Sequence, residues 1–221
     1  MTYHLRNTVC GLVVGLVLAA NAMTAQAQGQ VAQPASCLPT SDSPPPSAYG
    51  RPIAQYGPFI VMSDTRAALV GETDERSPAS FRAMLARYPR IRQLDLLDSG
   101  GTENDEANLE VGHLIRGAGL TTFVPATGSV RSGAVELFLA GVSRRISHGA
   151  EFAVHSWQDS DGYEADDFAR NAPVNQLYIR YYMSLGMSQR QANAFYDMTN
   201  AAPHAEPRWL DASEMAAWSC F

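Results

Sequence analysis

Short apolar runs alternate with longer amphipathic stretches along residues 57–221 of the chain. The predicted strands are apolar segments bounded by Gly, Pro or Asp, and they cover residues 59–62, 91–97, 120–125 and 151–154. The stretches between and after them have the apolar spacing of helices or follow helix-start residues, and they cover residues 77–88, 102–117, 133–139, 174–185 and 188–198. Because strands alternate with helices, the pattern predicts an α/β domain with a mostly parallel sheet.

Three residues that could carry chemistry follow predicted strands or begin a predicted helix. They are Gly100, Ser132 and His155. The carboxyl ends of parallel strands lie along one edge of a sheet, where α/β proteins build their sites. The sequence therefore predicts that these residues share one edge.

A serine, a histidine and glycine N–H groups at one edge can perform acyl transfer. A serine hydroxyl is a weak nucleophile until a base such as the imidazole of His155 takes its proton. The N–H groups of Gly133 and Gly100 can stabilise the oxyanion that develops on the substrate. Each residue also has a structural interpretation: Ser132 as a helix N-cap, His155 as an ordinary strand-end residue, and Gly100-Gly101 as a turn.

A third group is expected to orient the imidazole of the base. The acidic candidates that the sequence leaves open are Glu206, Asp197, Asp211 and Asp159. The remaining histidines are interpreted as structural: His113 on a helix, and His148 and His204 in loops.

The start of the chain has the pattern of a secretory signal peptide. An apolar run follows a weakly basic beginning and leads to small residues at Ala25 and Ala27. We expect residues 1–27 to be cleaved, residues 28–56 to form a Pro/Ser-rich extended lead-in, and residues 57–221 to form one domain. The protein would then be periplasmic or secreted, without a stable membrane anchor after processing. The alternative is an uncleaved anchor.

Removal of the signal peptide leaves two cysteines, Cys37 and Cys220, near the ends of the mature chain. Such a pair can form a disulfide in an oxidising compartment. The alternative is two free thiols.

Composition excludes several kinds of chemistry. The chain contains no lysine, which rules out a Ser-Lys dyad, a Schiff-base lysine and a P-loop lysine. The formal net charge of −6 gives no basic face for nucleic acid. The histidines lack zinc-binding spacing and the acidic segment 159–167 lacks EF-hand spacing, so we expect no metal and no cofactor.

Three segments together resemble the ClpP/crotonase-like superfamily, in particular its periplasmic, signal-bearing members. The segments read DSGGTENDEANLEVGHLIR, SVRSGAVELFLAG and GAEFAVHSW. The resemblance implies a mostly parallel sheet of ββα-type units with flanking helices. It also implies an oxyanion hole from Gly100, Gly101 and Gly133, with Ser132 as nucleophile and His155 as base.

The resemblance places the acidic residue nearest to Glu206, although the neighbouring Pro207 and Arg208 match the family pattern poorly. The turn at 98–101 also lacks the family's proline. The implied function is an exported serine hydrolase, a peptidase acting on a peptide or small acyl substrate, and the family implies homo-oligomeric assembly. The alternative is a ClpP-like binding or assembly module with little or no turnover. Acyl-CoA chemistry fits poorly with export.

Overall fold

The computed structural model describes residues 39–41 and 50–221. The strands within this part are β1 (Ala54–Tyr56), β2 (Phe59–Val61), β3 (Arg66–Thr73), β4 (Gln93–Thr102), β5 (Thr121–Val124), β6 (Ser129–Arg131), β7 (Ser143–Ile146), β8 (Glu151–Val154) and β9 (Arg208–Asp211). The helices are α1 (Ser77–Arg87), α2 (Asp105–Gly117), α3 (Ala134–Leu139), α4 (Pro173–Ser184), α5 (Gln189–Asn200) and α6 (Ala212–Trp218). The architecture confirms the predicted α/β class.

All nine strands join one mixed sheet that is parallel through its centre. The main path runs β1-β2-β3-β4-β6-β8-β9, with antiparallel pairs at its two ends. The pairs β3-β4, β4-β6 and β6-β8 are parallel. A side branch leaves β4 through the parallel pairs β4-β5 and β5-β7.

The sheet forks at β4 because different parts of this strand pair with two neighbours, and the strand is longer than the sequence predicted. Residues 93–95 pair with β5, while Asp98 and Ser99 pair with β6. The strand continues to Thr102, since β3 supplies backbone partners along its whole length. Gly100 and Gly101 therefore lie in a strand, and the predicted turn at 98–101 is wrong.

Side-chain oxygens lie at the starts of two helices. The first helix begins at Ser77, as expected, and the Ser77 hydroxyl donates to the Oδ1 of Asp74 over 2.9 Å. The second helix begins at Asp105, where the Oδ1 of Asn104 accepts the N–H of Ala107 over 2.9 Å. The Asn104 side chain thus pairs one of the N–H groups that the first turn of α2 leaves without an intrahelical partner.

The short helix α3 lies in the core directly beneath the candidate site. All six of its residues are buried, including Glu136. The ring of Phe138 packs against Phe152 of β8 at 5.2 Å between centroids. The residue before the helix, Gly133, is thus held at the sheet edge by a rigid element.

Several predictions about the beginning of the chain lie outside the described residues. They are the signal peptide at 1–27, most of the lead-in, and the Cys37 half of the predicted disulfide, so the pairing with Cys220 stays a prediction. The first strand begins at Ala54, inside the segment 28–56 predicted to be extended. Within residues 39–41 and 50–221, no helix has the length and apolar character to cross a bilayer.

Candidate active site

Ser132 occupies an unusual backbone conformation between β6 and α3. Its φ is +51°, and no other non-glycine residue of the described part has a positive φ. A residue other than glycine adopts a positive φ at a cost of about 1–3 kcal/mol, so surrounding contacts must hold it in that conformation. The N–H of Ser132 donates to the carbonyl of Ala153 over 2.9 Å, and its own carbonyl accepts the N–H of Val135 over 2.9 Å.

The hydroxyl of Ser132 does not cap the helix. The N-cap position is Gly133, and no side chain accepts a first-turn N–H of α3. Within the part of the chain that the structure describes, the hydroxyl makes no hydrogen bond. The structural interpretation of Ser132 as an N-cap is therefore wrong, and its hydroxyl is left available in the cavity.

Gly101 and Gly133 surround Ser132 with bare backbone. The φ of Gly101 is +128°, and a Cβ there would lie 2.9 Å from the Cβ of Ser132 and 3.3 Å from its Oγ. Gly100 faces the other way, since a Cβ on it would meet the Cγ of Glu72 at 2.9 Å. Gly101 is thus better placed beside the serine than Gly100, which the sequence had also proposed.

A small hydrogen-bond chain fixes the residue after the serine. The carbonyl of Gly133 accepts the side-chain Nδ2 of Asn108 over 2.7 Å, and the Oδ1 of Asn108 accepts the hydroxyl of Thr73 over 2.8 Å. Both Asn108 and Thr73 are buried. Buried, satisfied polar chains of this kind hold backbone groups rigidly.

His155 follows β8 and is half-buried beside Ser132. Its Nδ1 lies 2.8 Å from the carbonyl oxygen of Ser156, an acceptor, so we assign the proton to Nδ1 and leave Nε2 free to accept one. Burial lowers the pKa of His155, the contact with Ser156 opposes this shift, and the nearby His204 lowers it further. A histidine kept neutral at physiological pH is a suitable general base.

A second histidine, His204, lies directly against His155. The two ring centroids are 4.4 Å apart in an edge-on arrangement, and the Nδ1 of His204 also faces the carbonyl of Ser156, at 3.1 Å. The carboxylate of Glu164 accepts the backbone N–H of His204 over 3.2 Å. Sequence reasoning missed this residue, because nothing in a loop 49 positions further along the chain reveals the contact.

The structure does not place Glu206 behind His155. Glu206 is exposed, and its N–H donates to the carbonyl of Pro203 over 3.0 Å. The other acidic candidates are engaged elsewhere: Asp197 with Arg170, Asp211 in the cap of α6, and Asp159 with the N–H groups of Asp161 and Tyr163. The carboxylates that raise the pKa of His155 are instead those of Glu164 and Asp105.

One cavity contains the serine, both histidines and two acidic side chains. It is lined by Thr102, Asp105, Ser132, Gly133, Val135, Glu136, Val154, His155, Trp157, Gln158, Tyr178, Tyr182, Thr199, Asn200 and His204. The structure thus brings together Ser132, Gly133 and His155, as the sequence predicted. No hydrogen bond joins the Ser132 hydroxyl to His155 in the described structure, and such contacts often close only when substrate binds.

The two acidic side chains of the cavity have perturbed pKa values. Glu136 is 8% exposed, and burial raises its pKa to about 7 despite a 2.7 Å hydrogen bond from the hydroxyl of Tyr182. Asp105, at the start of α2, also has a raised pKa because surrounding protein atoms desolvate its carboxyl, although the residue as a whole is exposed. The described residues include no group of three or more His, Cys, Asp or Glu that could hold a metal ion.

Comparison with known structures identifies the fold. ClpP1 of Listeria monocytogenes superposes with a TM-score of 0.50 at 17% identity, and a mutant of it with 0.52 at 16%; each alignment covers 71% of this chain and 88% of the other. The chain has a ClpP-like fold. A mutant of a membrane-bound stomatin-specific protease gives a TM-score of 0.48 at 13% identity, over 71% of this chain and 76% of the other. No family model and no curated protein matches the sequence.

This fold confirms the fold that the resemblance implied, while the resemblance to periplasmic, signal-bearing members stays a prediction. At these identities the comparison establishes the fold alone. The roles of Ser132, His155 and the glycines therefore depend on the geometry of this chain's own residues.

Proposed function

We propose that this protein is a serine peptidase that works through an acyl-enzyme on Ser132. The observation that carries the proposal is the strained backbone of Ser132, held at a φ of +51° in a cavity that it shares with His155. A strained residue with an unengaged hydroxyl, beside a histidine with a free ring nitrogen, is the arrangement that a nucleophile requires.

The proposed reaction begins when the Nε2 of His155 accepts the proton of the Ser132 hydroxyl. The serine oxygen attacks the substrate carbonyl, and the N–H groups of Gly133 and Gly101 donate to the resulting oxyanion. His155 then returns the proton to the leaving amine as the C–N bond breaks. Water, activated by His155, hydrolyses the acyl-enzyme and restores Ser132.

The carbonyl of Ser156 takes the orienting role that a carboxylate usually has. It accepts from the Nδ1 of His155 and so presents Nε2 to the cavity. A neutral acceptor stabilises an imidazolium less than a charged one does. We therefore expect turnover to be slow compared with that of a site in which a carboxylate accepts from the base.

An activity-based probe tests the proposal. The protein should react covalently with a fluorophosphonate, and Ser132→Ala should lose all labelling while its circular dichroism stays unchanged. Ser129→Ala is a matched control, because Ser129 lies in β6 three residues earlier and outside the cavity lining. Equal labelling of Ser132→Ala and the parent would refute Ser132 as the nucleophile.

The second candidate function is a binding or assembly module with no turnover. It is favoured by the lack of a carboxylate hydrogen-bonded to His155 among the described residues. Failure of the folded parent to react with any fluorophosphonate would support this function.

We further propose that the protein is exported, as residues 1–27 predict, and that Cys37 and Cys220 form a disulfide. Amino-terminal sequencing of the secreted or periplasmic protein should begin at Gln28. Mass spectrometry without reduction should find the two cysteines in one linked peptide pair. A mature chain that retains Met1 would contradict export by cleavage.

A further inference from the structure

The cavity beside Ser132 contains more carboxyl groups than the proposed hydrolysis uses. Glu136 lies on α3 four residues after the nucleophile, and Asp105, the first residue of α2, lines the same cavity. Neither group hydrogen-bonds to His155, and the proposed reaction assigns a role to neither. Their presence in a site for a neutral peptide bond needs another explanation.

Glu136 is an unusual residue to bury. It is more than nine-tenths buried. Within the described residues, the one side chain that donates to its carboxyl is Tyr182, whose hydroxyl donates to Oε1. No arginine lines the cavity, and the chain has no lysine. A buried carboxyl without a cationic partner costs stability unless a ligand brings the partner.

The surroundings of the two carboxyl groups suit an organic cation. Tyr178, Tyr182 and Trp157 contribute aromatic surface to the same cavity. Aromatic faces attract guanidinium and ammonium groups, and carboxylates form short charge-assisted hydrogen bonds with them. The repulsion between Glu136 and Asp105, which helps to raise the pKa of Glu136, would be relieved by one bound positive charge.

We propose that this part of the cavity is a subsite for a cationic substrate side chain, an arginine guanidinium or a lysine ammonium, bound by Glu136 and Asp105. The inference rests on the proposed function, because it places that side chain next to the bond that Ser132 attacks. It defines the substrate class as peptides with a basic residue at the cleaved position.

Paired substrates that differ by one charge test the subsite. We suggest peptidyl aminocoumarins with arginine or citrulline at the cleaved position, since citrulline keeps the shape and loses the charge. At pH 8, where Glu136 is ionised, the parent should favour arginine by about tenfold or more in kcat/KM, as expected for one buried charge-assisted contact.

The substitutions Glu136→Gln and Asp105→Asn should each reduce this preference to about threefold or less. Glu106→Gln is the matched control, because it removes the neighbouring charge on α2 from an exposed residue outside the cavity lining. The control should retain the full preference. An equal rate for arginine and citrulline in the parent would overturn the inference.

Fluorophosphonate labelling separates failure of the subsite from failure of the proposed function. If Ser132 is labelled but arginine is not preferred, the subsite is refuted and the hydrolase stands. If Ser132 is not labelled, an NMR titration with Nα-acetyl-arginine amide decides the subsite by itself. Chemical-shift changes at cavity residues of the parent support the subsite if the citrulline analogue does not cause them and if Glu136→Gln does not show them. The absence of such changes in the parent overturns the subsite.

Discussion

The carboxyl of Glu136 connects the stability of the fold to pH. Burial raises its pKa from 4.5 to about 7, so the folded state holds a proton that the unfolded state releases above pH 4.5. This contribution to stability is complete below pH 4.5 and disappears as the pH rises to about 7. Glu136→Gln should therefore stabilise the protein at pH 8 by about 3 kcal/mol and change little at pH 4.

Urea unfolding of both forms at several pH values measures this difference. The amide oxygen of glutamine can still accept from Tyr182, so the comparison isolates the charge. Glu106→Gln, on an exposed position, should show no such pH-dependent gain. A Glu136→Gln protein equally destabilised at both pH values would show that ionisation of Glu136 does not limit stability.

His204 should control the proton affinity of His155. The two rings are in contact, and a charge on one imidazole disfavours a charge on the other. His204→Gln removes that repulsion and exposes His155 to more water, and both effects raise its pKa. An NMR titration of the His155 ring protons should show the increase.

His113→Gln is the control for this substitution. His113 packs against Tyr181 at 5.2 Å between ring centroids, so its removal also loses a ring contact but leaves the cavity unchanged. The pKa of His155 should not move in this variant. A His155 pKa that falls or stays constant in His204→Gln would contradict the electrostatic contact.

Single residues were predictable where local chemistry decided their place. Ser132 stands at the start of a predicted helix and His155 follows a predicted strand, and the structure brings the two into one cavity. The position of Glu206 was not predictable, because a residue in the loop before β9 can face many directions. The packing of that loop decides which side chain meets His155. His204 occupies that position through a backbone hydrogen bond to Glu164, a contact between distant loops.

Helix α2 provides a test of packing against intrinsic helix preference. A Cβ on Gly112 would lie 2.8 Å from the Cζ of Tyr181 in α4 and would overlap its hydroxyl. Gly117, at the end of the same helix, has no atom within 4 Å of such a Cβ and no positive φ. Alanine favours helix interiors over glycine by about 1 kcal/mol, so a loss of stability in Gly112→Ala has to come from packing.

Gly112→Ala should accordingly destabilise the protein by about 2 kcal/mol, since the Tyr181 hydroxyl would also lose its 2.8 Å bond to the carbonyl of Glu136. Gly117→Ala should leave stability unchanged or raise it slightly. Thermal and urea unfolding of both variants measure the contrast. Equal effects at the two positions would rule out close helix packing at Gly112.

At the scale of elements, helices were more predictable than strands. The apolar spacing and the Ser77-Pro78 start placed α1 to within one residue, because these signals are local. The strands β1, β3, β6, β7 and β9 were not predicted, since each is defined by the neighbour it pairs with. The same reason explains why β4 continues through Gly100 and Gly101: pairing with β3 outweighs the local turn preference of glycine.

At the scale of the whole molecule, a buried arginine at the edge of the sheet contacts the last residues of the sequence. Strand β7 lies at the end of the side branch and carries the buried Arg144. Its guanidinium donates to the carbonyls of Gly141, Ser219 and Phe221 over 2.7, 2.8 and 2.7 Å. It also lies 4.0 Å from the centroid of the Phe221 ring.

This connection should make a large contribution to global stability. Arg144→Met keeps the length of the side chain but leaves three carbonyls without their donor, which should cost about 3 kcal/mol. The charge persists at neutral pH, because burial lowers the pKa of Arg144 only to about 10. Urea unfolding at pH 7 should show a lower midpoint with an unchanged slope.

Arg145→Met is the matched control for this prediction. The neighbouring arginine is only partly buried and lies 5.4 Å from the ring centroid of Phe123. Its loss should cost less than about 1 kcal/mol, as for an exposed cation–π contact. If the two variants unfold at the same urea concentration, Arg144 does not hold the end of the chain to β7. A selective loss at Arg144 would show that residues more than 70 positions apart stabilise one another across the sheet's side branch.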